Sequence, residues 1–394
     1  MEKEHYDVLI VGAGIVGCAT AHSVAKAGLR VALLDKGRIA GEASQAGAGM
    51  LVPLAEADEV SDQHPFAQLC LAGLQLYDGL DQQLKHETGI DIELVDAPTL
   101  RPAFDENETA TLRSVLDRQQ HLLPGLKWLE GKAVREVEPL LPPTVQGALI
   151  SPLERNVQSP RLTLAYARGA ALHGAAIFEG RSVEQFIRQG QRVVGVETKS
   201  GPIYAGVVVL AAGAWAATWH PSIRKPPVFP VKGQMLALQA QPELRLQHAI
   251  YYHSLGYMLP KADGSIYVGA TSELAGFDKS VTVAGLTTLL DVVTKLAPRL
   301  QRARFERAWA GLRPGSADDL PLLGPSHSMQ GLWLAGGHFR NGILLGPLTG
   351  HILAELIQGH PAPFGLDLHP FDPDRFGGWE DSRSFDRPGS FIER

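Results

Sequence analysis

The chain has 394 residues, with 42 glycines, two cysteines, 36 basic and 42 acidic side chains, and a formal net charge of -6. A hydrophobic content of 45% and a charged content of 20% suit a packed protein of two domains, or one domain carrying an inserted lobe. This balance offers no basic stripe for nucleic acid and too few thiols for a disulfide framework or a thiolate metal site, and no apolar run reaches the ~18 residues of a membrane span.

At the start, Glu2, Glu4 and Asp7 precede the apolar stretch Val8 to Ala21, the wrong charge for a secretory signal, so a cytoplasmic location is expected. Tyr6 to Val11 reads as a buried strand, followed at once by Gly12-Ala13-Gly14-Ile15-Val16-Gly17. A helix over Ala19 to Ala27 with Gly28 as its cap, then strand Val31 to Leu34 ending at Asp35, completes a βαβ unit. Helical patterns follow over Phe66 to Thr88 and Glu106 to Gln119, with Pro139 to Pro143 as a connector and a further helix over Ser159 to His173. Strand patterns cover Ala176 to Phe186, Arg192 to Thr198 and Val207 to Leu210. From Val228 to Val268 the pattern turns antiparallel, with a hairpin turn at Asp263-Gly264. Helix Thr282 to Leu296, strand Phe305 to Leu312 and strand Leu332 to Ala335 lead to a helix over Gly342 to Ile357 whose first turn would hold Pro347. Asp372 to Arg394 reads as a polar, partly disordered tail.

The glycines exceed ordinary usage, which would give about 28, and they fall in short clusters. In the first cluster Gly12 permits the tight turn, Gly14 lets backbone approach a pyrophosphate and Gly17 allows helix–strand packing, while Asp35 can accept from a ribose diol. A glycine-rich turn in an unrelated α/β protein is the competing reading. Gln45-Ala46-Gly47-Ala48-Gly49-Met50 is nearly free of side chains, as suits backbone lying along a flat ring, although a surface loop has the same composition. Gly336-Gly337-His338-Phe339-Arg340-Asn341-Gly342 opens the last helix, where a positive dipole end suits a cofactor that becomes anionic on reduction.

Asp7 to Gly17, Gln45 to Leu51, Val231-Lys232-Gly233, Trp309 to Gly315 and Gly337 to Leu345 together resemble the D-amino-acid oxidase superfamily of FAD-dependent amine oxidases, most of all its glycine-oxidising branch, which serves thiamine thiazole synthesis. The resemblance implies an α/β fold: a discontinuous FAD-binding domain of glutathione-reductase type (residues 1–78, 147–222 and 312–378) and an inserted α+β substrate domain on an antiparallel sheet (79–146 and 223–311), with 379–394 as tail. Noncovalent FAD is implied, because Ala310-Gly311-Leu312 lacks the cysteine by which sarcosine oxidases hold flavin. Carried over by position, the FAD contacts are Gly12, Gly14, Ile15, Val16, Gly17, Asp35, Lys36, Ala43, Ser44, Ala48, Gly49, Met50, Val183 and His338 through Leu344, a run that includes Phe339, Arg340, Asn341, Gly342 and Ile343.

Arg313 and Tyr257 would hold a substrate carboxylate, Arg340 would sit beside the amine and Met50 would line the pocket. A planar guanidinium reads a carboxylate through two parallel bonds, which supports Arg313 independently. An ion pair with Asp318 or Asp319 is its structural alternative, and Tyr257 and Met50 would otherwise be core. The resemblance further implies small amino-acid substrates, molecular oxygen as acceptor, a Cα hydride passing to flavin N5, and a homo-oligomer. Ser254-Leu255-Gly256 and Ser272 depart from the glycine-oxidising pattern, which leaves sarcosine, small D-amino acids or a quinone-linked dehydrogenase as alternatives. A flavin-binding subunit of a heteromeric assembly is a further one. Val231-Lys232-Gly233 and Glu56 carry no assigned role.

Overall fold

A computed structural model describes residues 5–54, 64–218, 227–253 and 255–376; Glu56 and Ser254 lie outside these residues. Two eight-stranded sheets organise the chain. In the first, strand His5–Val11 runs parallel between Gly201–Leu210 and Val31–Leu34, Val8 pairing with Val207 and Val31. Ala176–Phe178 extends one side in parallel and Leu332–Gly336 joins Gly201–Leu210, so segments distant in sequence share one sheet. Alternation along the first strand feeds two cores. Val8 and Ile10 pack with the helices, while Leu9 and Val11 pack with Phe186, Val196 and Ile203 on the other face.

The second sheet is antiparallel but for one pair, in the order Arg304–Ser316, Val228–Gln239, Ser265–Gly269, Gly256–Pro260, Ala249–Tyr252, Thr99–Ala103, Gly147–Ser151, Lys127–Glu130. Its pairing carries through Gly147–Ser151, past the boundary expected at 146. Helix Leu80–Thr88, expected in the inserted lobe, instead packs with the parallel sheet's helices, because Leu80 and Leu84 fall on one apolar face and join that core. The long pattern Phe66 to Thr88 is two helices, Pro65–Gln75 and Leu80–Thr88, parted at Gly79 with φ +76°. Asp372–Phe376 is tied down: Arg375 pairs with Asp318 at 2.8 Å, and Asp374 accepts from the Ser328 amide at 2.9 Å.

The first helix, Ile15–Lys26, and the last, Gly342–Ile357, lie against each other at closest approach. A Cβ on Gly346 would sit 2.6 Å from Ile15 and one on Gly350 2.5 Å from the Ala19 backbone. Pro347 falls in the second turn of its helix, beyond the expected first. It cannot donate to the Ile343 carbonyl four residues back, and the buried Tyr77 hydroxyl donates to that oxygen at 2.5 Å in its place.

Candidate active site

Both helices begin at one cavity of about 890 Å³. Neither N-cap residue, Gly14 or Asn341, caps its helix with a side chain. The dipoles of the two helices thus present positive ends to the same space. Gly12, Gly14, Ile15, Val16, Asp35, Lys36, Ala43, Ser44, Ala48, Gly49, Met50, Val183 and His338 through Ile343 all line the cavity. Two expected contacts do not. Gly17 packs on the turn, where a Cβ would lie 1.8 Å from the Gly12 carbonyl oxygen, and Leu344 points into the core at 1% exposure.

Several expected contacts have protein partners. Asp35 accepts from the Ala13 amide through Oδ2 and from the Gly37 amide through Oδ1, each at 2.7 Å, so it shapes the glycine turn while facing the cavity. Ser44 Oγ accepts from the Ile15 amide at 2.9 Å. Lys36 Nζ lies 4.0 Å from the centroid of the Trp215 ring, another cavity residue. His338 is buried, which pulls its pKa down to about 4, and its Nε2 lies 2.9 Å from Thr349 Oγ1. A neutral, engaged imidazole is a structural element of this wall.

The segment from Ala46 to Gly49 is strapped in place, against the surface-loop alternative. Four successive carbonyls accept from four residues: Ala46 from Trp309 Nε1 at 3.0 Å, Gly47 from Ser159 Oγ at 3.0 Å, Ala48 from Lys261 Nζ at 3.1 Å and Gly49 from the Val157 amide at 2.9 Å. Lys261 also donates to Asn156 Oδ1 and the Val157 carbonyl, both at 2.8 Å. Its burial pulls the ammonium pKa down to about 7. In sequence Lys261 sits two residues before the hairpin turn at Asp263-Gly264, where a lysine reads as solvent-exposed, so its role carried no signal.

Another part of the lining comes from the antiparallel sheet. Arg313 and Tyr257 line the cavity, and each side chain lies over a glycine. A Cβ on Gly233 would sit 2.3 Å from Arg313 Nη1, and one on Gly269, the strand partner of Tyr257, 2.6 Å from its hydroxyl. This gives the motif Val231-Lys232-Gly233 a place. Arg313 Nη1 donates to the Thr271 carbonyl at 3.1 Å. The loop beyond Thr271 is held by buried Lys232, which reaches Asp278 Oδ2 at 3.0 Å, and by Gln234, whose Nε2 donates to Glu273 Oε1 at 2.7 Å. Asp318, one of the two alternative partners considered for Arg313, is taken by both Nε and Nη2 of Arg375 at 2.8 Å. Met50, Tyr251, Arg340 and Ser272 complete this end. Both cysteines lie elsewhere, Cys18 in the first helix and Cys70 in Pro65–Gln75, fully buried.

An elongated dinucleotide that ends in a flat ring fits this lining. Two helix N-termini at the cavity suit anionic groups, and the strapped backbone offers a surface without bulk. Gly336 lines the cavity although a Cβ there would meet no protein atom within 4 Å, so internal packing does not demand a glycine.

Comparison with known proteins agrees. The family described as DAO, FAD dependent oxidoreductase, matches residues 7–356. A glycine oxidase of Geobacillus kaustophilus is 36% identical over 375 residues, 95% of this chain and 98% of that one. Its crystal structure superposes with a TM-score of 0.89 over 95% of this chain and all of that chain, at 34% identity. The hydrogen cyanide synthase subunit HcnC of Pseudomonas aeruginosa is 32% identical over 94% of this chain and 96% of its own. The bifunctional protein ThiO/ThiG of Trichormus variabilis is 35% identical over 89% of this chain, which matches 52% of that longer protein. Among the described residues no helix is long and apolar enough to cross a membrane. The chain belongs to the DAO family of FAD-dependent oxidoreductases.

Proposed function

We propose that the chain oxidises glycine and other small amines, sarcosine and small D-amino acids among them, to the oxo acid with release of ammonia (methylamine from sarcosine), passing the electrons to oxygen as hydrogen peroxide. The observation that carries this reading is that Arg313 and Tyr257 line the same cavity as the strapped Ala46–Gly49 segment. The glycine turn, the strap and the start of the last helix would hold FAD, which when bound would supply the two-electron acceptor for the Cα hydride. The rest is positioning by the chain. The Arg313 guanidinium takes the carboxylate through parallel charge-assisted bonds, and the Tyr257 hydroxyl donates to the same group. The Arg340 backbone carbonyl accepts from the amine. With both ends fixed, the Cα hydrogen is turned toward the strapped segment, and no side-chain base is required. Met50 and the ring of Tyr251 pack together at this end of the cavity.

The glycine oxidase and ThiO/ThiG relatives support glycine as substrate and a link to thiamine thiazole synthesis. HcnC, described as a subunit, supports a second reading in which the chain works within a heteromeric assembly. A panel of glycine, sarcosine and D-alanine with purified yellow protein under air separates these. Peroxide and glyoxylate from glycine support the proposal, and a protein inert to all three overturns it. Turnover only with an added quinone makes it a dehydrogenase, and turnover only with a partner chain favours the second reading. A homo-oligomer belongs to the first reading and is checked by light scattering.

A further inference from the structure

Away from the cavity, three helices bring two imidazoles onto one carboxylate. His22 lies in the first helix, Glu87 in Leu80–Thr88, and His173 closes the C-terminus of Ser159–Leu172. Glu87 Oε1 stands 2.9 Å from His22 Nε2 and 2.7 Å from His173 Nε2. One ligand atom from each residue falls within 4.8 Å of the others. Gly169 keeps this space open, since a Cβ there would lie 2.6 Å from the His22 ring. His22 is buried, whereas the His173 side chain is 34% exposed, so the cluster opens to solvent along one side. None of the three lines the flavin cavity.

We propose that His22, Glu87 and His173 form a binding site for a divalent first-row transition ion of the zinc class, which staples three helices that flank the parallel sheet. Two imidazole nitrogens and one carboxylate oxygen are the borderline donors such an ion prefers, with water as fourth ligand on the His173 side. Ligands about 2.1 Å from a tetrahedral ion stand roughly 3.4 Å apart. The present separations therefore open by roughly 0.5 to 0.7 Å, a change within reach of a carboxylate rotation and a terminal imidazole. Lys26, one turn further along the first helix, is the nearby cation that works against a dication. Without an ion the triad is satisfied by hydrogen bonds alone, so the two states are separated by measurement.

The test uses chelator-treated holoenzyme titrated with Zn²⁺ by calorimetry, and thermal unfolding with and without Zn²⁺. One equivalent should bind and raise Tm by a few degrees at excess ion. His173→Gln, near the surface, and Glu87→Gln should each weaken that binding at least about 100-fold and abolish the Tm rise, with FAD content and amine turnover unchanged. Wild-type protein with no Zn²⁺-dependent rise in Tm overturns the proposal. So do variants that retain its stoichiometry and rise, which would assign the ion to other surface histidines.

Discussion

The two walls of the cavity are built on different principles. The wall toward the parallel sheet works with backbone: a glycine turn, two helix N-termini and a strap whose carbonyls from Ala46 to Gly49 are each held by another residue. The wall toward the antiparallel sheet works with side chains, Arg313 and Tyr257, each lying over a glycine of the neighbouring strand. The contrast teaches that one site can separate holding a cofactor from choosing a substrate by using backbone for one and side chains for the other, even though Trp309 and Lys261 of the antiparallel sheet and its hairpin anchor two of the strap's carbonyls.

That separation can be broken by mutation. Arg313→Ala should retain FAD and lose at least about 100-fold in kcat/KM for amine, about 3 kcal/mol of transition-state stabilisation. Loss of FAD with it would merge the two walls. Gly233→Ala and Gly269→Ala should come next, lowering kcat/KM roughly 10- to 100-fold, since a misplacement near 1 Å suffices. The atoms displaced are the far ends of Arg313 and Tyr257, so thermal unfolding should stay near wild type. A large drop in Tm would assign both glycines to packing instead.

On the other wall, Lys261→Met should weaken FAD binding, read by fluorescence on apoprotein reconstitution, while sparing discrimination among amines. This lysine also carries a pH signature. Its folded pKa of about 7 lies below the unfolded value of about 10.4. Between those values the unfolded chain binds more protons, so the contribution of Lys261 to stability rises with pH across that window. Lys261→Met should flatten the rise in denaturant-unfolding stability from pH 7 to 10. The smallest effect is expected from Tyr77→Phe, which leaves the Ile343 carbonyl without a donor and should cost about 1 to 3 kcal/mol of stability with little change in kcat.

Much of the backbone wall was legible in sequence because its signals are local. Strand, glycine turn, helix and Asp35 follow one another within residues 6 to 35, and Gly342 to Ile357 was bounded correctly as a helix. Where local reading failed, a distant partner decided. Asp35 reads as a ribose acceptor, and besides lining the cavity it closes its own turn through the Ala13 and Gly37 amides, which the motif alone does not show. Asp372 to Phe376 reads as tail, yet Arg375 finds Asp318 and the carbonyls of Leu320 and Pro321. Lys261 reads as a hairpin-end surface lysine, yet the fold folds the strap over its ammonium.

The sequence by itself determined the class of cofactor chemistry, because backbone approach and helix starts are written in short runs of glycine and apolar residues. It also nominated Arg313 and Tyr257, through residue type and motif. Only the tertiary structure decided how those two side chains are seated. Gly233 pairs with Gly311, 78 residues on and two residues from Arg313, and Gly269 pairs with Tyr257 across a hairpin, 12 residues back. A glycine's missing Cβ has no address in a linear chain until sheet register sets a neighbour's side chain above it.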